Sequence, residues 1–485
     1  MNHSLAPTAL IAVLVAYAPP AGGQLTLGDA LRRADHAAYG NRIAAGNTEE
    51  QRARALLAAR GILPSLRFEV GYLSTTDPVA VFGTKLRQGT ISPDDFAPQQ
   101  LVNPEATGNY QSAIVIEQPI FNADAWTGRR AALRAADADR ASQEWTRLSL
   151  RADVVRAFYG AVFAAERTAT MRVSARTAHA HVAQAEALVR QGMVTKSDAL
   201  LASVRAGEID AQLAEAVGDS AIAGRRLALL IGDYHADSRD QKAIVPNVLP
   251  TAAMIREITA RDTAFAEPDE RADVIAAATA LDAARSDVLR ARSAYLPRIN
   301  GFARYDRNSR ARPFTGETNW TVGVLASWSP FSGAGELAEH RGAAARLTSA
   351  KARAEAAEAN AGLDVEATRT ALTVSLIRLA IAERAVIQSA EARRIVSRRY
   401  AGGLATVVEL LDAQTAETQS ALSLAQARYA AISAAAARRQ ALGRDPGTLA
   451  AFDSASASAD SSPPRPIAPD ATAHARLQKG PLNDS

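Results

Sequence analysis

His179 and His181 are the nearest thing in the chain to a pair of metal ligands, and Gly333-Ala334-Gly335-Glu336-Leu337-Ala338 is the nearest thing to a dinucleotide-binding turn. Neither spacing supports that chemistry. Two positions apart on a helix, the imidazoles diverge by about 200°, so they read as solvated side chains and not as a shared metal site. The glycine turn would need a helix of ordinary length, followed by a buried strand ending in an acid about 20 residues on. Here the helical pattern runs on past Tyr400, so the glycines read as a joint between strand and helix. The other histidines are isolated, cysteine does not occur, and no Ser-His-Asp or Gly-x-Ser-x-Gly arrangement is found. The expectation is a protein with no catalytic residue, no metal and no cofactor.

Around these motifs the chain repeats itself. Pro64 in Ile62-Leu63-Pro64-Ser65-Leu66 returns as Pro297 in Tyr295-Leu296-Pro297-Arg298-Ile299. Pro119-Ile120-Phe121 returns as Pro330-Phe331, and Arg190-Gln191-Gly192-Met193-Val194-Thr195 returns as Ala401-Gly402-Gly403-Leu404-Ala405-Thr406. Such long-range similarity means that each half builds one copy of a supersecondary unit. The first unit opens on Leu25-Thr26-Leu27, where Thr26 caps a helix with Asp29 three residues on; that helix runs to about Arg60, and Pro64 stops it. Residues 65–74 then alternate, with Leu66, Phe68, Val70 and Tyr72 opposite Arg67, Glu69 and Gly71, and residues 109–118 alternate again. The second half repeats the pair at 298–306 and 319–328.

No proline and few glycines interrupt the helical period from Asn122 to Arg190 or from Ser332 to Tyr400. A helix of about 67 residues is roughly 100 Å long and cannot fit inside a compact domain. Each turns at Gln191-Gly192 or Gly402-Gly403, and a second helix returns to about 230 or 442, giving two giant helical hairpins at 122–232 and 332–443. Apolar residues make up 48% of the chain and aromatics only 5%, so alanine carries the burial, which suits close helix contact over a thick core. The net charge of +4 is dispersed along helical faces, which argues against a nucleic-acid surface. The connection from Thr75 to Gly108 is roughly twenty residues longer than its counterpart from Arg307 to Thr318, as expected of exposed tips on one outer surface.

Residues 1–23 read as a secretory signal, because the apolar run at 5–18 is too short to span a bilayer and ends in small residues. The remainder divides into a first repeat at 24–233, a linking equatorial segment at 234–270, a second repeat at 271–445 and a disordered tail at 446–485. A strand of about ten residues, apolar on one face and flanked by Tyr72, Tyr110, Tyr305, Trp320 and Trp328, has the length and period of a transmembrane barrel strand. Four strands cannot close a barrel, so several copies must pool them. The competing reading is an exported soluble coiled-coil scaffold whose strands form a small sheet with its apolar face on a helix.

The order of elements, Leu25-Thr26-Leu27, Pro119-Ile120-Phe121 and above all Gly403-Leu404-Ala405-Thr406-Val407-Val408-Glu409-Leu410-Leu411-Asp412-Ala413-Gln414 resemble the TolC-like outer-membrane efflux proteins, over about residues 24–445. The resemblance implies a mainly α fold with a small β part. In it three protomers form a twelve-stranded β-barrel continuous with an α-helical barrel, in the outer membrane of a Gram-negative bacterium and reaching into the periplasm. It implies a passive exit duct for a tripartite efflux or secretion system, with a periplasmic adaptor and an inner-membrane transporter as partners. It makes Gly192, Met193, Gly402, Gly403 and Leu404 the gate and adaptor-contact tips, and Pro64, Pro119, Pro297 and Pro330 the junctions of strand and helix. The acidic side chains of the family's entrance map onto Glu409 and Asp412, with Asp198 in the first repeat as a third. Three residues apart, Glu409 and Asp412 share a helix face, so three copies would converge six carboxylates into a ring that selects for cations and couples permeation to pH. Ala405 stands where some members have an arginine that locks the entrance.

Overall fold

The computed structural model describes residues 24–234, 245–263, 269–331 and 333–452. The signal segment 1–23 and residues 453–485 of the tail lie outside them. Helix α1 (Leu27–Ala37) starts as expected, with the Thr26 hydroxyl accepting the Asp29 N–H at 3.1 Å. It does not run on to Arg60. Ala38 is extended at ψ 135°, and the chain restarts as α2 (Tyr39–Ala58). Asn41 Nδ2 donates to the Ala34 carbonyl at 3.2 Å, which also accepts the Ala38 N–H, and to the Asp35 carbonyl at 3.4 Å, tying the start of α2 to the end of α1.

Next come β1 (Ser65–Thr75), the short helices α3 (Pro78–Arg87) and α4 (Pro98–Val102), and β2 (Thr107–Phe121). After them stand α5 (Ala123–Arg190), α6 (Lys196–Leu230), α7 (Ala252–Thr259) and α8 (Ala272–Ser293). The chain continues as β3 (Arg298–Ser309), β4 (Glu317–Ser327), α9 (Gly335–Ala401) and α10 (Val407–Ala441). The two long helices have 68 and 67 residues, each about 100 Å at 1.5 Å per residue. Among the described residues no helix is long and apolar enough to cross a membrane.

The four strands form one antiparallel sheet in chain order, and its register sorts the side chains cleanly. Phe68, Ile114, Tyr305 and Trp320 stand in one row across the sheet, and Leu66, Ile116, Ala303 and Val322 in the next. The opposite face carries Arg67, Glu69, Glu117, Arg304 and Asp306, with Arg304 bridging to Glu69 at 3.1 Å. A soluble sheet would hide the first face. Here Phe68 is 70% and Trp320 76% exposed while Asn308 on the polar face is fully buried, and among the described residues no long helix packs on the sheet. The scaffold with its apolar face on a helix is therefore not what the chain builds. Phe302 lies over Gly323, where a Cβ would come within 2.7 Å of the ring, so only glycine fits beneath it. Tyr72 and Tyr110 meet at a tilt with ring centroids 4.7 Å apart toward the loop end, and Trp328 Nε1 donates to the Tyr295 carbonyl at 3.0 Å toward the helix end.

Each strand continues a helix: α2 leads into β1, β2 into α5, α8 into β3 and β4 into α9. Pro64 and Pro297 stand just ahead of β1 and β3, and Pro330 just after β4. Pro119 differs from expectation. It lies inside β2, where the pairing with β3 slips between Pro119 and Phe121, because a residue without an N–H can stay in a ladder only at such an irregularity. Near the sheet the helices lie side by side as α2, α5, α8 and α9, the order of the strands; further away α6 packs on α5, and α10 packs on both α5 and α9.

The main core sits at the equator of this long body, where α1, α7 and the chain after α10 gather around α5 and α10. Leu27, Phe158, Leu227, Ile255, Leu379 and Ile432 are buried there. The stretch expected to be disordered from 446 is ordered at its start: Pro446–Ala450 forms a 3-10 turn, and Leu449 and Phe452 are buried. Asp445 caps the turn by accepting the Gly447 N–H at 2.8 Å, and Arg151 bridges Asp445 at 2.8 Å and Asp35 at 2.5 Å. Leu449 and Phe452 gain more from burial in this core than the small, polar neighbours lose in chain freedom.

Candidate functional site at the hairpin tips

At the end of the body remote from the sheet, both hairpins turn by the same device. Gly192 and Gly403 have φ of +70° and +72°, the left-handed region that glycine alone adopts freely. The Gly192 N–H donates to the Val189 carbonyl at 2.9 Å and the Met193 N–H to the Leu188 carbonyl at 3.0 Å. In the second repeat the Gly403 N–H reaches the Tyr400 carbonyl at 3.0 Å and the Leu404 N–H the Arg399 carbonyl at 2.8 Å. These are paired Schellman closures that satisfy the last carbonyls of α5 and α9. Gly402 is the cap residue of α9, and the apolar Met193 and Leu404 are about 70% exposed at the extreme tips.

The returning helices start on capping boxes. Thr195 N donates to Asp198 Oδ2 at 3.0 Å, while the Asp198 N–H donates back to Thr195 Oγ1 at 3.3 Å. Thr406 N donates to Glu409 Oε2 at 2.9 Å, and the Glu409 N–H donates to Thr406 Oγ1 at 3.2 Å. The three acids singled out by sequence are therefore not alike. Asp198 and Glu409 each use a carboxylate oxygen to hold a helix start, which the Thr-x-x-Asp and Thr-x-x-Glu spacing could have revealed. Asp412, one turn further, is exposed and has no such duty; its charge, after the hydrogen bond that Arg205 donates to Glu208, helps hold the Arg205 guanidinium protonated.

Val407 and Leu411 bury into a small core with Ala185 of α5 and Ala202 of α6, with Tyr400 packed against it. That contact joins the two tips and turns Glu409 and Asp412 to the exposed side of α10, since residues two and five positions from Val407 point away from it. Burial pushes the Tyr400 phenol up, and the charge of Asp198 on the first tip adds to it. Higher up, Ser174 and Thr418 hydrogen-bond at 3.0 Å, and Arg393 meets Glu417 at 2.5 Å.

The motifs that looked chemical take structural places. His179 Nε2 lies 2.9 Å from Asp210 Oδ2 across α5 and α6, whereas His181 is part-buried and feels Arg393 of α9, so the two rings serve different neighbours. Gly333 and Ala334 are both left-handed at φ +66° and lead straight into the 67 residues of α9. Sequence reading passed over Arg271, whose side chain is nearly buried. It bridges Asp273 at 2.7 Å and Asp364 at 3.2 Å and stands 4.7 Å over the Trp145 ring.

The model of the outer membrane efflux protein family matches residues 42–233 and 268–444. No curated protein matches the chain by sequence. Among solved structures, the chain is similar to the Campylobacter jejuni CmeC outer membrane channel, with a TM-score of 0.72 at 14% identity over 91% of this chain and 94% of that one. It is similar to the Vibrio cholerae outer membrane protein VceC, with a TM-score of 0.69 at 18% identity over 86% of this chain and 96% of that one. A membrane protein from Pseudomonas aeruginosa gives 0.70 at 20% identity over 86% and 90%. The two matched segments are the two repeats, each carrying its strand pair and its glycine-turned hairpin: the chain belongs to the outer membrane efflux protein family.

Proposed function

We propose that three copies of this chain close into a twelve-stranded barrel and a continuous helical tunnel, forming the outer-membrane exit duct of a tripartite system. One observation carries this reading: the sheet bares its apolar face and has open edges at β1 and β4. Unpaired strand edges are not tolerated in hydrocarbon, so β4 of one copy must meet β1 of the next. The strands run alternately, so that added pairing is again antiparallel. The helices repeat the logic, since α2 and α9 lie at the outer ends of the helical row near the sheet, and Ile377, Ile381 and Ile387 of α9 and Val204, Val217 and Ile222 of α6 are exposed.

In this assembly the tips around Gly192 and Gly403 form the periplasmic entrance and the surface that an adaptor meets, with Met193 and Leu404 as its apolar contacts. Glu409, Asp412 and Asp198 ring the axis and favour cations. With Ala405 at the tip, the closed state lacks the guanidinium clamp that an arginine there would supply. Opening moves the hairpins apart above the small core of Val407 and Leu411. Energy comes from the inner-membrane transporter, and the duct supplies a water-filled path.

Extraction into mild detergent followed by native mass measurement tests the reading. The expected species is a heat-labile trimer that conducts ions in planar bilayers. A stable monomer, or a protein soluble without detergent, would overturn it.

A further inference from the structure

The long connection between β1 and β2 is not a slack loop. Asp77 caps α3 by accepting the Ala80 N–H at 2.7 Å, and Ser92 and Asp95 cap the turn that follows. Lys85 Nζ meets Asp95 Oδ1 at 2.5 Å, and the rings of Phe82 and Phe96 stand edge to face at 5.5 Å. The segment thus has its own ion pair and aromatic contact, enough to hold a shape.

Its anchorage lies on one side of the sheet only. Gln88 Nε2 donates to the Gly108 carbonyl and to Asn109 Oδ1, both at 2.9 Å. Asn109 Nδ2 donates on to Asn308 Oδ1 at 2.8 Å, and Asn308 Nδ2 to Asp306 Oδ2 at 2.6 Å. By register, Asn109, Asn308 and Asp306 all stand on the polar face. Gly89, left-handed at φ +66°, brings its backbone close to Glu317, also on that face, leaving 3.0 Å between a Cβ there and Glu317 Cγ. Val81 of α3 is buried. The polar face is therefore roofed near its loop end, while the apolar face beside it is bare.

We propose that residues 78–102 form a lid seated inside the barrel at its outer mouth, latched through Gln88, Asn109 and Asn308, which sets a size limit on what crosses that end. The proposal rests on the barrel closure proposed above, which makes the polar face the lumen. In the assembly three such lids reach inward from the wall, so the duct has a second point of control at the end opposite the hairpin tips. Gln88 Oε1 and the nearby Asn319 Nδ2 are buried without a hydrogen bond, so the polar chain is only partly satisfied and holds less firmly than a complete one.

The natural absence of cysteine makes the test clean. Glu117→Cys places a single thiol on the polar face toward the helix end, below the lid. Intact cells carrying the full chain are treated from outside with a small methanethiosulfonate or with a maleimide on a bulky polyethylene glycol. Two further backgrounds are compared, one with residues 78–102 replaced by a short Gly-Ser segment and one with Gln88→Ala, which keeps the lid but cuts its latch. The small reagent should label all three equally, while the bulky one labels roughly tenfold faster without the lid and measurably faster with Gln88→Ala. Equal bulky labelling in all three would overturn the lid. Failure of the small reagent to reach Glu117→Cys would mean that the polar face is not the lumen, which defeats the closure on which the lid depends.

Discussion

The Glu409 carboxylate accepts the Thr406 backbone N–H at 2.9 Å while the Glu409 N–H donates back to the Thr406 hydroxyl at 3.2 Å. A residue proposed to charge the entrance therefore also starts the helix that carries the charge. Substitution can separate the two roles. Glu409→Gln keeps the capping geometry and removes the charge, and Asp412→Asn removes a charge with no cap to lose. Both should lower cation selectivity, read as reversal potential in a salt gradient across a planar bilayer, without loosening the tip. Thr406→Ala should do the reverse, costing about 1 kcal/mol of local stability while leaving selectivity in place. Unchanged reversal potential in a Glu409→Gln, Asp412→Asn double variant would remove the acidic-ring role.

Gly192 and Gly403 need glycine for backbone reasons alone, because a Cβ at either position would meet nothing within 4 Å. Alanine there should cost about 1 kcal/mol per turn, from the left-handed φ and not from crowding. Amide exchange over residues 399–406 and 188–195 should quicken in Gly403→Ala and Gly192→Ala respectively. The equatorial core and the sheet should be unaffected. Loss of the whole fold in either variant would mean that the turns carry more than local closure.

Acid should loosen the tip region through His181. Burial, with the Arg393 charge beside it and against a smaller opposing bond from Gln184, holds its imidazole below the ordinary value of 6.5. The unfolded chain then binds a proton more readily than the folded one as pH falls through 6.5. The stability present above that pH is lost progressively below it, until the folded-state imidazole also protonates. The expected result is lower amide protection around His181 of α5 at pH 5.5 than at pH 7.5, once the intrinsic slowing of exchange in acid is divided out, with the difference reduced in His181→Asn. An equal pH response in that variant would assign the effect to other groups.

What the sequence disclosed depended on how strongly each segment spoke through its period. Both hairpins were legible because more than sixty residues pass without a proline and with few glycines, and then meet a glycine turn. The strands were legible because Leu66, Phe68, Val70 and Tyr72 alternate with polar neighbours and prolines mark their ends. The break at Ala38 was not, since alanine is the best helix former and only packing of Leu27 and Leu31 into the equatorial core bends the chain there. The helix α3 was hidden in a stretch rich in Pro, Asp and Asn, although the Asp77-Pro78 pair is a helix start in its own right. At the tips, the capping-box spacing of Thr195 with Asp198 and Thr406 with Glu409 stood in plain sight but was overshadowed by the charge.

The segment after Asp445 shows how composition misleads when two residues outweigh their neighbours. Phe452 is fully buried at the equator, its ring edge to face with Tyr159 at 5.9 Å, and Leu449 is buried beside it. Both pack where α1, α5 and α10 meet, so the turn they anchor ties the end of the second repeat to the start of the first. Phe452→Ala should cost roughly 3 kcal/mol, the burial of one phenylalanine plus the void it leaves, whereas Phe452→Leu should cost about 1 kcal/mol. The check is the denaturant midpoint of the detergent-solubilised protein, followed by the near-ultraviolet signal of the equatorial aromatics. A midpoint unmoved by Phe452→Ala would mean that residues 446–452 rest on the core without helping to hold it.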